Sequence, residues 1–294
     1  MADPATEAFD AHRTPLFTVA HEMLGSAADA EDVLRETWLR RAGAGPGEAS
    51  DPRAYLVRVT TRQALGRLRA AKRRREAYVG PWLPGPLVTA SDVAEGAELA
   101  ESLSMAMTLV LESLSPTERA VFVLREVFGV DDGEIAEAVG RSPGAVREIA
   151  HRARRHVGAR RPRGTASARE TRAALESFRR AVETGDSQGL LDVLAPDVVL
   201  LSDGGGLKRA APRPVVGAEK IVRFRLGGSA DAEGALTWEP TAVDGSPAPA
   251  VRVAGEPDAV MAVRVEEGRV SGLYLVRDPE KLTHLAAGTP LGLR

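Results

Sequence analysis

The sequence predicts a multidomain protein in which two all-α domains are followed by an α+β domain. Up to about residue 160, apolar residues recur at helical spacing, as in Leu16, Val19 and Met23. After a helical segment at about 168–183, the pattern changes to short apolar runs typical of strands. Segments rich in Pro, Gly or Arg, at about 80–89 and 160–165, interrupt these patterns and predict linkers.

The first domain contains clear helix start and stop signals. A helix over 14–24 ends at Gly25, because glycine is the usual residue after a helix C-terminus. Ser26 is placed to cap the next helix, which carries acids in its first turn. Asp51 and Pro52 begin a third helix that runs into an arginine-rich segment. These signals predict a small helical bundle.

The second domain has the pattern of a helix-turn-helix. Ser115 and Glu118 are spaced as a capping box at its first helix. A short helix over 132–139 is followed by Gly140, and Ser142 is placed to cap the next helix. Because the apolar residues of this last helix share one side, its arginines project together on the other side, where they can enter a DNA major groove.

The third domain alternates strand patterns with turn signals. Apolar runs predict strands over the following ranges: 198–201, 236–243, 249–253, 259–266 and 269–276. Glu267 and Gly268 form a two-residue hairpin turn between the last two strands. A helix followed by a mainly antiparallel sheet in about 120 residues predicts an α+β domain.

The charge of the chain is distributed unevenly. The segments 62–75 and 141–163 each carry a net charge of +7, whereas the whole chain carries −2, so the remaining residues sum to −16. Two basic segments in an otherwise acidic chain indicate two separate contacts with a polyanion. The alternative for either segment alone is an arginine-rich helix face that is merely solvated.

The composition excludes several classes of protein. No cysteine is present, so disulfides and thiolate metal sites are excluded. No apolar run approaches the ~20 residues that a membrane-spanning helix needs, and the N-terminus lacks a signal-peptide core. We therefore expect a cytoplasmic protein without a membrane contact, a metal site or a cofactor.

The candidate DNA-binding residues are chosen from the arginines, the lysine and the histidines of the two basic segments. Arginine suits both bidentate contact with guanine and contact with phosphate. The candidates are Arg62, Arg67, Arg69, Lys72, Arg73 and Arg74 in the first segment, and Arg147, His151, Arg152, Arg154 and Arg155 in the second. Trp38, Tyr55 and Tyr78 lie near the first segment in sequence and could stack on single-stranded bases.

The two helical domains resemble regions 2 and 4 of extracytoplasmic-function sigma factors. The sequence from Met23 through Asp29-Ala30-Glu31-Asp32 to Leu39 resembles region 2, and Leu114 to Arg119 with the helix-turn-helix resembles region 4. The resemblance implies that Asp29, Glu31, Asp32 and Trp38 bind the β′ clamp helices of core RNA polymerase, with the β flap as a second contact. It further implies that region 2 binds the −10 element of promoter DNA and region 4 the −35 element. Gly66 departs from the pattern, since the family usually has Asp there.

The remaining motifs resemble one subgroup of that family, in which a SnoaL-like domain of the NTF2-like cone fold replaces a separate anti-sigma protein. Tyr78 to Pro84 is similar to the segment after region 2 in this subgroup, and two C-terminal signatures are present in modified form. The resemblance implies a regulatory role for Asp203, Gly204, Gly205, Gly206 and Lys208, and for Asp278, Pro279, Glu280, Lys281 and Leu282.

These observations predict five segments: region 2 over 1–79, a linker over 80–105, region 4 over 106–162, a SnoaL-like regulatory domain over 163–285 and a tail over 286–294. The predicted function is that of a sigma factor that directs promoter-specific initiation and is controlled by its C-terminal domain. The alternative is a one-component regulator that couples a ligand-binding cone to a helix-turn-helix.

A third interpretation is an isomerase or cyclase with a DNA-binding appendage. Such enzymes use a buried Asp or an Asp–His pair, but His284 is the only histidine of the last domain, and three glycines after Asp203 favour a role in backbone conformation. We therefore expect no catalysis. A pocket for an unidentified small ligand stays open as an expectation, with Trp238, Tyr274 and Phe224 either lining it or packing in the core.

Overall fold

The computed structural model describes residues 4–43, 51–75, 78, 80–89, 104–160, 166–229 and 236–283. The chain divides into two units, of which the first comprises 1–77 and 110–161 and the second 78–109 and 162–292. The described part of the predicted linker over 80–105 therefore belongs with the C-terminal α+β domain. We refer to residues 78–89 as the connector.

The first unit is entirely helical where it is described. Its helices are α1 (Pro4–Leu24), α2 (Ala27–Ala42), α3 (Pro52–Arg75), α5 (Pro116–Phe122), α6 (Asp132–Val139) and α7 (Pro143–Gly158), with a π-helical turn at Val123–Val127. Helix α4 (Met105–Glu112) is divided between the two units. Helix α1 begins ten residues earlier than the spacing predicts, because Phe9 also packs into the bundle.

The predicted helix caps of this unit are confirmed. The Ser26 hydroxyl accepts a hydrogen bond from the Asp29 amide, and Ser115 and Glu118 form a complete capping box. Gly140 adopts a left-handed conformation (φ 69°) at the end of α6, and Ser142 caps α7. Local sequence signals thus place the helix-turn-helix correctly.

A buried group of charges ties α3, α4 and α5 together within the first unit. Glu112 pairs with both Arg75 of α3 and Arg119 of α5, and the Arg119 side chain is only 1% exposed. Arg119 Nε also donates to the carbonyl of Glu22 in α1 over 2.8 Å. One carboxylate therefore neutralises two arginines in a place where unpaired charges are costly.

The second unit contains a seven-stranded sheet among its described residues, in the order β1-β4-β5-β6-β7-β2-β3. The strands are β1 (Val88–Thr89), β2 (Leu194–Asp203), β3 (Val215–Val216), β4 (Leu236–Val243), β5 (Ser246–Val253), β6 (Glu256–Glu266) and β7 (Arg269–Val276). The helices are α8 (Ala168–Thr184), α9 (Ser187–Val193) and α10 (Ala218–Ser229). β2 and β7 are parallel, and all other neighbours are antiparallel.

The two faces of this sheet are covered by different parts of the chain. Met261 and Leu273 face one core, which they share with residues of α8, α9 and α10 such as Phe178. Their sequence neighbours point to the opposite face, because side chains alternate along a strand. On that face Val260 and Tyr274 pack with Leu83 of the connector. The connector thus covers a sheet face and supplies the edge strand β1.

The predicted fold class is confirmed in its secondary structure, because the described residues of the first unit form helices and those of the second unit form an α+β domain. Strands β4 and β7 have the predicted bounds, and Glu267 (φ 50°) and Gly268 (φ 76°) form the predicted hairpin turn. Strands β2, β5 and β6 begin earlier than predicted, since sheet pairing extends them into less apolar sequence. The connector strand β1 was not predicted.

The buried charge group gives a stability prediction. Glu112→Gln should lower the free energy of unfolding by about 3–5 kcal/mol, because the buried Arg119 would lose its carboxylate partner and Arg75 would lose one of its acceptors. Urea denaturation measures the change. Glu176→Gln is the matched control, since it breaks a solvent-exposed pair with Arg179 and should leave stability nearly unchanged. Equal midpoints for the two variants would contradict the assignment.

Candidate functional site

The acidic residues of α2 lie where α2 meets its neighbouring helices. Asp29 and Asp32 approach Arg67 of α3, at 3.6 and 3.2 Å, whereas Glu31 pairs with Arg13 of α1 at 2.9 Å. Asp32 also pairs with Arg35 at 2.7 Å. The carboxylates remain partly exposed. Further along the same helix Trp38 and Leu39 are exposed as well. Helix α2 therefore presents acids and apolar side chains together.

The basic candidates of α3 fall into two groups. Arg62 donates to the carbonyl of Glu137 in α6 over 2.8 Å, and Arg67 pairs with α2. Arg69, Lys72 and Arg73 are exposed and form no ion pair with a described residue, and the side chain of Arg74 lies outside the described residues. Only part of the first basic segment is thus unpaired within the described chain.

Helix α7 has the predicted two-sided character. Its buried stripe consists of Val146, Ile149, Ala150, Ala153 and Val157. The candidate DNA-binding residues Arg147, His151, Arg152, Arg154 and Arg155 are all exposed. The structure thus brings these five residues together on the solvent side of a helix-turn-helix.

Acidic residues of the same domain contact three of these arginines. Arg154 binds both carboxylate oxygens of Glu126, at 2.6 and 3.1 Å, and the π-helical turn of 123–127 carries this glutamate. Arg147 lies 3.8 Å from Asp132, and Arg152 lies 3.9 Å from Glu118. No ion pair with a described residue is found for His151 or Arg155. Glu126 was not identified from the sequence, because a π-helical turn has no simple periodicity.

The most connected polar group of the second unit is the carboxylate of Asp203, at the end of β2. It is 1% exposed and accepts hydrogen bonds from the Tyr78 hydroxyl, from the Leu83 amide at 2.8 Å and from Lys281 Nζ at 2.6 Å. The Gly205 amide also donates to it, at 3.0 Å. Two of these donors belong to the connector. Tyr78, considered above for base stacking, therefore acts as a hydrogen-bond donor to Asp203.

The electrostatics of this carboxylate favour its charged form. Burial alone would raise the pKa of Asp203, but the hydrogen bonds from Leu83 and Lys281 more than offset burial and hold that pKa below its ordinary value. Burial and the neighbouring Asp203 carboxylate together raise the pKa of Tyr78. Tyr78 is thus a stable donor and Asp203 a stable acceptor.

Lys281 of the C-terminal signature completes the contact with the connector. Its Nζ atom donates to the Leu83 carbonyl over 2.9 Å and lies 4.6 Å from the ring centre of Trp82 and 5.4 Å from that of Tyr78. Asp278 shapes this turn by accepting from the Glu280 amide, and Leu282 is buried beneath it. Pro279 and Glu280 lie exposed on its outside.

The glycines after Asp203 are required by close packing. A Cβ atom on Gly204 would lie 2.0 Å from the Lys208 carbonyl oxygen, and one on Gly205 would lie 2.5 Å from the Asp278 carboxyl group. Gly205 and Gly206 also have positive φ. Lys208 extends away from the connector to Asp258, at 3.1 Å. The glycine loop therefore packs closely against the turn that contains Asp278. This close packing agrees with the predicted backbone role of the glycines.

A second contact holds the far end of the connector. Asp244, in the β4–β5 turn, donates its amide to the Leu87 carbonyl (2.8 Å) and accepts from the Leu87 amide through its carboxyl group (3.1 Å). The next residue, Val88, pairs with Val243 as strand β1. Burial raises the pKa of Asp244 to about 8. Sequence reasoning missed this residue, since Asp244-Gly245 resembles any hairpin turn.

A groove of about 640 Å³ lies between α8 and the β4–β5 hairpin. Prolines 240, 247 and 249 line it together with Trp238, whose Nε1 atom is buried without a hydrogen-bond partner. Arg172 and Arg179 of α8 lie at the same groove. Of the three predicted pocket residues only Trp238 lines it, because Tyr274 packs on the opposite sheet face and Phe224 is exposed.

The described residues contain no group of three or more His, Asp or Glu arranged to hold a metal ion. They also contain no helix that is both long and apolar enough to cross a bilayer. His284, considered above for catalysis, lies outside the described residues.

Comparisons with known proteins connect both units to one family. Family models for sigma-70 region 2 and sigma-70 region 4 match residues 8–74 and 104–157. The ECF RNA polymerase sigma factor SigJ of Mycobacterium tuberculosis is 37% identical over an alignment of 305 positions, gaps included, which covers 96% of this chain and 93% of SigJ. SigG of the same organism is 34% identical and covers 55% of this chain and 50% of SigG. The crystal structure of M. tuberculosis SigJ matches 98% of this chain and 100% of its own with a TM-score of 0.76 and 33% identity.

Asp244 predicts a dependence of stability on pH. Its pKa in the folded chain is raised from 3.8 to about 8, so its stabilising contribution is fully present below about pH 4, decreases as the pH rises above that value and is lost above about pH 8. In a Trp38→Phe background both remaining tryptophans, Trp82 and Trp238, report on the second unit. The urea midpoint followed by their fluorescence should fall over that range, and Asp244→Asn should remove most of the fall. Asparagine tolerates the positive φ of 51° and still accepts from Leu87. Identical pH profiles would contradict the assignment.

Proposed function

The chain belongs to the extracytoplasmic-function RNA polymerase sigma factors, and from this we propose that docking of its connector on the C-terminal domain controls when it acts in promoter-specific initiation. The observation that carries the proposal is the Asp203 carboxylate, which receives two donors from the connector. The chain between region 2 and region 4 passes through the connector. Fixing the connector therefore limits how far the two regions can separate along a promoter.

Polymerase binding is assigned to α2. Asp29, Glu31 and Asp32 offer partly exposed carboxylates, and Trp38 offers an apolar contact one or two turns further on. A basic, partly apolar surface such as the β′ clamp helices would complement this face. We assign region 4 to the β flap on the family resemblance alone. The segment limits 1–79, 80–105, 106–162, 163–285 and 286–294 are part of the same proposal.

DNA binding is assigned to α3 and α7. In the free chain some exposed candidate side chains have no ion pair with a described residue, and these can meet DNA first. They are Arg69, Lys72 and Arg73 in α3 and His151 and Arg155 in α7. Arg147 and Arg152 have only long pairs, at 3.8 and 3.9 Å, and can exchange them for phosphate or a base edge. Arg62, Arg67 and Arg154 must first leave a partner within the chain.

The packing of region 2 on region 4 supports a closed free state. Arg58 pairs with Glu137 of α6 at 2.9 Å, and Arg62 donates to the carbonyl of the same residue. Arg53 adds a longer pair with Glu134, at 4.0 Å. Helix α3 thus uses part of its basic surface to hold the first helix of the helix-turn-helix. Promoter binding at two separate elements would require these contacts to open.

The groove at the β4–β5 hairpin offers a place for a regulatory ligand. Its proline and tryptophan walls suit an apolar molecule, while the unpartnered indole N–H and the arginines of α8 suit an acceptor or an anionic group on that molecule. Gly245 lines the groove and directly follows Asp244, which binds the connector. A ligand that shifts this turn would change connector docking without touching the connector.

Other functions are less well supported. Asp203 already accepts four hydrogen bonds, so it is poorly placed to serve as a catalytic base. The one-component regulator is not favoured, because the chain contains a complete region 2 in addition to the helix-turn-helix.

Transcription with core polymerase tests the proposal. The connector variant carries the two substitutions Tyr78→Phe and Trp82→Leu. It removes the hydrogen bond from the Tyr78 hydroxyl to Asp203 and the contact of Trp82 with Lys281, and it changes no residue of the C-terminal domain. We expect it to raise promoter-specific output severalfold, measured by sequencing the 5′ ends of transcripts from fragmented genomic DNA. A population near balance needs only a small shift, since ~1.4 kcal/mol changes an equilibrium tenfold.

Lys208→Gln is the control for this experiment, because Lys208 lies on the same loop but contacts Asp258 and not the connector. It should transcribe as the original chain does. Equal output from all three proteins would contradict a restraining role for docking. Lower output from the connector variant alone would show that docking assists initiation, which also overturns the restraint.

A further inference from the structure

The guanidinium of Arg67 is held by three carboxylates of the neighbouring helix. Asp29 and Asp32 lie 3.6 and 3.2 Å away, and Glu36 forms the closest pair. The three acids are spaced by three and four residues, so they share one face of α2. Partial burial alone would lower the pKa of Arg67, but hydrogen bonds to Glu36 and Asp32 raise it above its ordinary value. Arg67 is therefore a permanent cation with its charge satisfied inside region 2.

This pairing joins the two surfaces of region 2 that have different partners. Asp29 and Asp32 belong to the proposed polymerase contact of α2, Glu36 lies about one turn further along the same helix, and Arg67 belongs to the helix assigned to promoter DNA. The carboxylates of Asp29, Asp32 and Glu36 are 41–44% exposed, so an incoming basic surface can reach them. The Arg67 side chain is 30% exposed, and a DNA phosphate that approached it would have to displace carboxylates.

We propose that Arg67 couples polymerase binding to DNA binding: α2 withholds this cation from DNA until a basic partner surface takes its carboxylates. The inference rests on the proposed polymerase contact of α2. Because such coupling is reciprocal, DNA that captures Arg67 also frees the acids and strengthens polymerase binding by the same factor. Asp32 keeps a second partner, Arg35, in either state.

The coupling follows from competition between ion pairs. Each exposed pair is weak by itself, which allows it to exchange. A cation released to single-stranded DNA adds one counterion-release contact and steepens the salt dependence of binding by about 0.7. A cation that stays paired with carboxylates adds almost nothing to the salt dependence of DNA binding. The number of phosphate contacts made by the free chain is thus the quantity that reports the state of Arg67.

The test uses the full-length chain without polymerase. Glu36→Gln removes the closest partner of Arg67 while keeping the size of the side chain. We expect it to bind a fluorescein-labelled single-stranded oligonucleotide more tightly, on the order of threefold at low salt. The salt slope should become steeper by less than the ~0.7 of a fully released cation, because Asp29 and Asp32 still neutralise part of the Arg67 charge. Fluorescence anisotropy over a salt series measures both. Adding Arg67→Gln to this variant should abolish the gain.

Glu31→Gln is the matched control. It removes one negative charge from the same helix, but it releases Arg13 of α1 and leaves Arg67 paired. A gain in Glu31→Gln equal to that in Glu36→Gln would show that net charge alone is responsible and would overturn the inference. So would the absence of any gain in Glu36→Gln, or a gain that survives the loss of Arg67.

Titration of the same variants with core polymerase separates this inference from the proposed function. If Glu36→Gln weakens core binding but does not change DNA binding, the coupling is wrong and the polymerase contact stands. A second outcome is that Glu36→Gln strengthens DNA binding while neither Glu36→Gln nor Glu31→Gln weakens core binding. Arg67 is then restrained by its carboxylates as described, but α2 is not the polymerase contact. The coupling of polymerase binding to DNA binding is wrong in that case as well. Thermal unfolding of each variant confirms that the fold is retained.

Discussion

The packing of the connector on the C-terminal domain depends on one buried carboxylate. Asp203 lies at the end of β2, and its donors come from the connector, from its own glycine loop and from the C-terminal turn. A buried charge of this kind is stable only while its donors are present, because losing them leaves an expensive unpaired carboxylate. The glycine loop, the turn over 278–282 and the connector are thus held together by the same group.

In the first unit, charged side chains are also paired within the chain, but many of these ion pairs are exposed and can be exchanged. Arg62, Arg67 and Arg154 are predicted to meet DNA, and each is engaged by an acceptor within the chain. These acceptors are exposed or partly exposed, so the pairs are weak and can be replaced by phosphate. Glu112, by contrast, pairs with the buried Arg119 and the partly buried Arg75 and joins three helices. This group therefore stabilises the fold, whereas the exposed pairs are the ones that the proposed DNA binding would exchange.

Sequence patterns predicted the parts of this molecule that depend on local signals. Ser26, Ser115 and Ser142 cap helices because their hydroxyls meet amides three residues ahead, and this spacing is visible in the sequence. The family resemblance pointed to the Asp203 loop and the turn at 278–282. Neither could show that the Asp203 carboxylate binds the connector, or that Asp244 binds Leu87 across 157 residues, because such pairs have no local periodicity. Arg67 was predicted as a DNA contact for its charge, and its carboxylate partners become visible only when α2 and α3 pack.

If docking restrains the protein as we propose, the connector is docked in the free protein and must undock when the protein acts with polymerase. Amide hydrogen exchange at Leu83 and Leu87 measures this directly, since both amides donate to buried carboxyl groups of the C-terminal domain. We predict slow exchange at both amides in the free chain and fast exchange after core polymerase is added. Fast exchange in the free chain, or protection that is unchanged in the complex, would contradict the account.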